Sequence, residues 1–156
     1  MNVHAALRAG QIAVDYNQSL QQMIDAGKYD WVDDDITTKR FPLVGKGVIQ
    51  FETKVFYFDR RIFSKSVVAA IEANDQHTPW KPAAIEHLLA YGAKNPDEQR
   101  QYPIIGLGSV AEVFGSRDVP DLRRLGAERV LGLDWWGGDW GGGCRFLAVR
   151  PLSSAA

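Results

Sequence analysis

The chain has 156 residues, 46% hydrophobic and 24% charged, with a formal net charge of -1. That length suffices for one domain with a real core, and the near-neutral balance excludes a general basic field that would draw nucleic acid or an anionic membrane surface. The single cysteine, Cys144, rules out an intramolecular disulfide, and neither a span of ~18 apolar residues nor the apolar run of a secretory signal is present.

The cytoplasm is therefore the expected location, with signal-independent secretion or carriage on a phage particle left open. Residues 1–150 are expected to form a single α+β domain, and residues 151–156 a flexible C-terminal tail rich in small residues.

In chain order, the first helical pattern is Asn17–Gly27, where Leu20, Met23 and Ile24 fall at i, i+3 and i+4, and Gly27 stands where a helix would stop. Residues 5–14 either extend this helix or form an arm. A long polar stretch, 28–47, reads as a structured loop anchored by Tyr29 and Trp31. Residues 47–59 alternate as a strand: Ile49, Phe51, Thr53, Val55 and Tyr57 share one face, while the other turns from Gln50, Glu52 and Lys54 to Phe56 and Phe58. The far end should thus be covered on both sides.

Two helices follow. Ser64–Asp75 has Ser64 as its cap, a Phe63/Val68 staple, and Val67 and Ile71 facing inward. Lys81–Lys94 has Pro82 in its first turn, a buried stripe of Ile85, Leu88 and Leu89, and Gly92 as terminator. Asn95, Pro96 and Glu98 then signal a short helix.

The second half reads mostly as strands. Ile104, Ile105 and Leu107 form an apolar run with which 111–115 could pair, and 119–126 reads as a helical turn or structured loop. Residues 129–135 and 144–150 are two more strands, the last apolar on both faces and therefore central. Without helical crossovers between these late strands, the sheet should be mainly antiparallel and flanked by two or three helices.

Most candidate sites have a plain structural reading. Asp33-Asp34-Asp35 lacks the spacing that brings oxygens around a cation and suits a solvated turn. His4, His77 and His87 show no metal-binding spacing. The Gly106-Leu107-Gly108-Ser109 stretch fits neither phosphate-loop pattern, so its glycines are expected to allow close packing. Cys144 begins an apolar strand and reads as a small buried residue. No metal and no cofactor are expected.

The unusual stretch is Asp134–Gly143, with three tryptophans, five glycines and two aspartates in ten residues. Either the rings close the end of the core together, or at least one is displayed for a ligand. Strand alternation puts Trp135 with Leu131 and Leu133 in the core and sends Trp136 the other way; Trp140 sits between glycines. Trp136 and Trp140 are thus the expected ligand-binding rings, with Asp134 and Asp139 accepting hydrogen bonds from the ligand.

The order of elements, with Trp80–Lys94 as a second-helix segment and Asp139–Arg150 as a Trp-Gly stretch entering an Arg-containing last strand, resembles the C-type-lectin-like fold, including its formylglycine-generating branch. The resemblance covers residues 47–150 and implies a ligand-binding module. The chain departs from the pattern in having no Glu-Pro-Asn, Gln-Pro-Asp or Trp-Asn-Asp motif and no second cysteine. Residues 29–42 also resemble stretches of small bacterial and phage proteins. The expectation is a non-catalytic module that contacts a protein or a carbohydrate, but neither nucleic acid nor membrane, through the Trp/Gly loop. A small enzyme with a His/carboxylate cleft and a structural subunit are the alternatives. The oligomeric state stays open.

Overall fold

The computed structural model describes residues 10–152. Its elements, in chain order, are β1 (Gln11–Asp15), α1 (Leu20–Ala26), β2 (Trp31–Val32), β3 (Val48–Tyr57), β4 (Ile62–Phe63), α2 (Ser64–Glu72), β5 (Lys81–Pro82), α3 (Ile85–Lys94), a 3-10 turn (Glu98–Arg100), β6 (Ile104–Ile105), β7 (Ala111–Val113), β8 (Ser116–Leu125), β9 (Glu128–Trp135), β10 (Asp139–Trp140) and β11 (Arg145–Pro151). Nine strands form one mostly antiparallel sheet with a principal order β1-β3-β11-β6-β8-β9-β2; β5 joins β11, β7 joins β8, and β10 pairs separately with β4.

β3 and β11 lie side by side, with Phe56 opposite Phe146 and Val55 opposite Leu147. Their two-faced apolar pattern is realised as two cores. On one side Phe51, Leu147 and Val149 meet Leu20, Met23 and Ile24 of α1 and Ile85, Leu88 and Leu89 of α3. On the other, Phe146 and Ala148 meet Val67 and Ile71 of α2 together with Trp80, Ile105 and Trp140. The protein is thus α+β, with helices on both faces of the sheet.

Several local expectations are corrected. The segment before α1 is strand rather than helix from Gln11 onward; residues 1–9 lie outside the described residues. Ser19 begins α1 through a reciprocal cap with Gln22. Gly27 ends α1 in an ordinary helical conformation, φ -78. Its missing Cβ is required by Tyr29, whose ring would lie 2.3 Å from it. Gly92 sits inside α3 for the same reason, since its Cβ would meet the Tyr29 hydroxyl at 2.4 Å. Pro82 pairs in β5, ahead of the helix. Tyr29 packs against the core and anchors the long loop as expected, but Trp31 is 48% exposed, and the buried Ile36 and Phe41 serve in its place.

The largest correction is 119–126, which belongs to the ten-residue strand β8. Val119, Leu122 and Leu125 are spaced as on a helix, but a tight turn with left-handed Gly126 (φ +61) folds β9 back on β8, which fixes the strand. At the C-terminus, Pro151 continues β11 and the Leu152 N–H donates to the Gln50 carbonyl (3.0 Å), so the expected tail begins later than position 151; residues 153–156 lie outside the described residues. No helix among the described residues is long and apolar enough to cross a membrane.

Candidate functional site

The Trp/Gly stretch divides its rings among three environments. Along β9, burial fades from Leu131 through Leu133 to Trp135, which is 59% exposed. Trp135 keeps the face expected of it, but that face has run past the core. Its indole folds over the following turn, where a Cβ on Gly137 would lie 2.7 Å from the ring and one on Gly138 3.2 Å away. Those two glycines exist to let the ring lie flat on backbone.

Trp136 points the opposite way and is half-buried against the second core. The Arg117 guanidinium lies 5.4 Å from its ring centroid. Trp140, expected on the surface, is instead core at 5% exposure. Its ring meets Phe146 edge-on at 5.8 Å, and its Nε1–H donates to Ser64 Oγ (2.9 Å). The Ser64 hydroxyl in turn donates to the Trp136 carbonyl (2.7 Å). Ser64, expected as a helix cap, is the buried polar pin that joins α2 to the Trp loop, and Phe63 before it is 61% exposed rather than a staple.

Asp134 and Asp139 are both exposed. Asp139 stands opposite Phe63 in the β10–β4 pair and ion-pairs with Arg61 at 3.4 Å. That exposed contact adds little stability. The Asp134 Oδ1 accepts from the Trp135 N–H (3.0 Å). Phe63 and Asp139 are thus neighbours across the β10–β4 pair, and a short turn links that pair to Trp135 at the end of β9.

At the same end of β9 lies a charge cluster built around one buried carboxyl of β8. Asp121 is 1% exposed, and Arg123 Nη1 donates to both its oxygens at 3.0 and 3.1 Å. Gly132, opposite Asp121, leaves the space the guanidinium fills; a Cβ there would sit 2.6 Å from Arg123 Nη1. Burial outweighs the ion pair and pushes the Asp121 carboxyl up to about 7, and the Asp134 carboxylate, within hydrogen-bonding reach, adds to the rise. The only sequence signal was Asp and Arg two residues apart, in a segment read as irregular.

Arg129 makes a second buried network. Its guanidinium donates to the Gly27 carbonyl at the end of α1 (2.6 Å), to Gly92 within α3 (3.2 Å), to Pro96 (2.8 Å) and to Gln99 Oε1 (3.0 Å). It is a structural staple for helix ends, whose carbonyls favour a cation.

The remaining candidates are structural. Asp33 Oδ1 accepts from the Asp35 N–H (2.9 Å), and Asp35 faces Arg40 at 3.6 Å in a half-exposed pair. Among the described residues no three His, Cys, Asp or Glu side chains converge as metal ligands do. His87 Nδ1 accepts from the Ala84 N–H (3.0 Å), its ring packs edge-on against Phe51, and burial holds its pKa below the ordinary value. His77 is exposed, and His4 lies outside the described residues. Gly106 and Gly108 press against the 82–83 backbone, where a Cβ on Gly108 would lie 2.4 Å from the Pro82 carbonyl oxygen. Burial raises the pKa of the half-buried Cys144 thiol, which lowers its reactivity. A cleft of about 600 Å³ between α1 and the following loop carries Asp25, Asp33 and Asp34 but no histidine.

No protein-family model matches the chain, and neither a curated protein nor a solved structure does.

Proposed function

We propose that the protein is a non-catalytic binding module whose contact surface is centred on Trp135, with Phe63 and Asp139 on the adjoining β10–β4 pair and Asp134 on the other face of the strand end. The observation that carries this reading is Trp135: an indole 59% exposed, yet supported from beneath by Gly137 and Gly138. A large flat ring held at low entropy cost is what a stacking platform needs. Carboxylates beside an aromatic face fit a saccharide, which has an apolar ring face and peripheral hydroxyls.

The test is a glycan array probed with the wild-type protein, Trp135→Ala and Trp140→Phe. Retention of a glycan by the wild type and Trp140→Phe, with at least a fivefold loss for Trp135→Ala, supports the proposal. Equal retention by Trp135→Ala overturns it.

A further inference from the structure

Arg145 opens β11, and two tyrosines hold its side chain. Its partner in the β3 register is Tyr57, whose ring centroid lies 4.3 Å from the guanidinium carbon. Tyr102, just ahead of β6, has its centroid 4.6 Å away. Because β11 runs between β3 and β6, the two rings flank the guanidinium from opposite sides. A guanidinium stacked on ring faces keeps its N–H edge clear of them.

That edge has no anion. Arg123 and Arg150 are paired with carboxylates, and Arg129 is bonded to carbonyls. Arg145 forms no ion pair among the described residues, and of its five donors one makes a long contact, from Nη1 to the Gly143 carbonyl at 3.4 Å. The carboxylate of this cluster, Glu98, is committed elsewhere. Its Oε1 accepts from the Tyr102 hydroxyl (2.6 Å) and its Oε2 from the Tyr91 hydroxyl (2.5 Å). Glu98 thus fixes the Tyr102 ring and leaves the guanidinium free.

The turn ahead of Arg145 is bare. The Cys144 N–H donates to the Gly141 carbonyl (3.1 Å), closing a turn over Gly142 and Gly143. All three glycines are exposed and none has a positive φ. A Cβ on Gly141 or Gly143 would meet nothing within 4 Å, and one on Gly142 would make ordinary contact at 3.6 Å. Neither backbone conformation nor packing requires glycine here. What the missing side chains provide is open backbone beside the guanidinium, which lets a ligand approach closely.

We propose that Arg145, held between Tyr57 and Tyr102 and open beside the Gly141–Gly143 turn, is a binding site for a carboxylate group. Two parallel N–H groups of a guanidinium edge match the two oxygens of a carboxylate. A single free cation with the Glu98 charge nearby suits a monoanion better than a phosphate dianion. The site uses none of the residues assigned to the Trp135 surface, so it stands or falls separately.

The test is a titration of 15N-labelled protein with sodium acetate, at ionic strength held constant with sodium chloride. The Arg145 Nε–H and the backbone amides of residues 141–145 are followed. These signals should shift saturably, with half-saturation near about 10 mM. Arg145→Lys, which loses the two-pronged edge, should weaken binding by about tenfold or more on the same amides. Tyr57→Ala should weaken it about fivefold while the circular dichroism spectrum stays that of the wild type, because Tyr57 is 63% exposed. Tyr57→Phe, which keeps the ring, should bind as the wild type does. Shifts that chloride alone reproduces, inorganic phosphate binding more tightly than acetate, or unchanged affinity in Arg145→Lys would overturn the proposal.

Discussion

Replacing Asp121 by Asn should change the pH dependence of stability in a way that follows from its surroundings. The carboxyl rises from its ordinary 3.8 to about 7 because burial outweighs the Arg123 ion pair. The folded state therefore keeps a proton that the unfolded chain has released. This group's contribution is fully present below pH 4 and is lost as pH rises to 7, at about 1.4 kcal/mol per pH unit and about 4 kcal/mol in all. Asn at this position is nearly isosteric and does not titrate. Its Oδ1 can still accept from Arg123 Nη1. Urea unfolding of both proteins, followed by tryptophan fluorescence, should show a gap in favour of Asp121→Asn that grows by about 3 kcal/mol between pH 5 and pH 7.5. Parallel stability curves would refute the reasoning. So would a wild type that gains on the variant as pH rises, because the ion pair would then dominate over burial.

Trp140→Ala should cost about 3–5 kcal/mol by urea titration, since a buried ring and its hydrogen bond to Ser64 are lost. Trp135→Ala, with its ring on the surface, should stay within about 1 kcal/mol of the wild type. Arg129→Lys should destabilise by about 3 kcal/mol or more, because an ammonium cannot reach the carbonyls of Gly27, Gly92 and Pro96 together; calorimetry measures this directly. Gly132→Ala should disturb the Asp121–Arg123 pair, and unfolding at pH 8 should show a loss of at least about 1 kcal/mol. Addition of a chelator should leave Tm unchanged within about 1 °C, as no convergent ligand set exists among the described residues.

The sequence was most legible where periodicity and burial agreed. The alternation in β3 and the two-faced pattern of β11 identified a central strand pair, and Leu20, Ile85 and Leu88 marked the helices that cover one side of it. Legibility failed where tertiary contacts overrode local rules. Helix-like spacing in 119–126 concealed β8, whose buried Asp121 is paired with a half-exposed Arg123 that Gly132 across the strand makes room for. Gly27 and Gly92 looked like helix stops; Gly27 does close α1 while Gly92 lies inside α3, and both make way for Tyr29, a neighbour that periodicity does not reveal. In the Trp/Gly stretch, alternation assigned correct faces to Trp135 and Trp136 but could not show where the core ends. It therefore placed Trp135 inside, while Trp140, pulled under the sheet by the β10–β4 pairing and Ser64, was expected outside.

The central claim is that Trp135, and not Trp140, meets the ligand. The most direct measurement is a titration of 15N-labelled protein with the saccharide retained on the array, following the indole N–H resonances. The Trp135 indole signal should shift in a saturable way while the Trp140 signal, locked to Ser64, stays in place. Saturable shifts that spare Trp135, or no saccharide shifting it at all, would contradict the account.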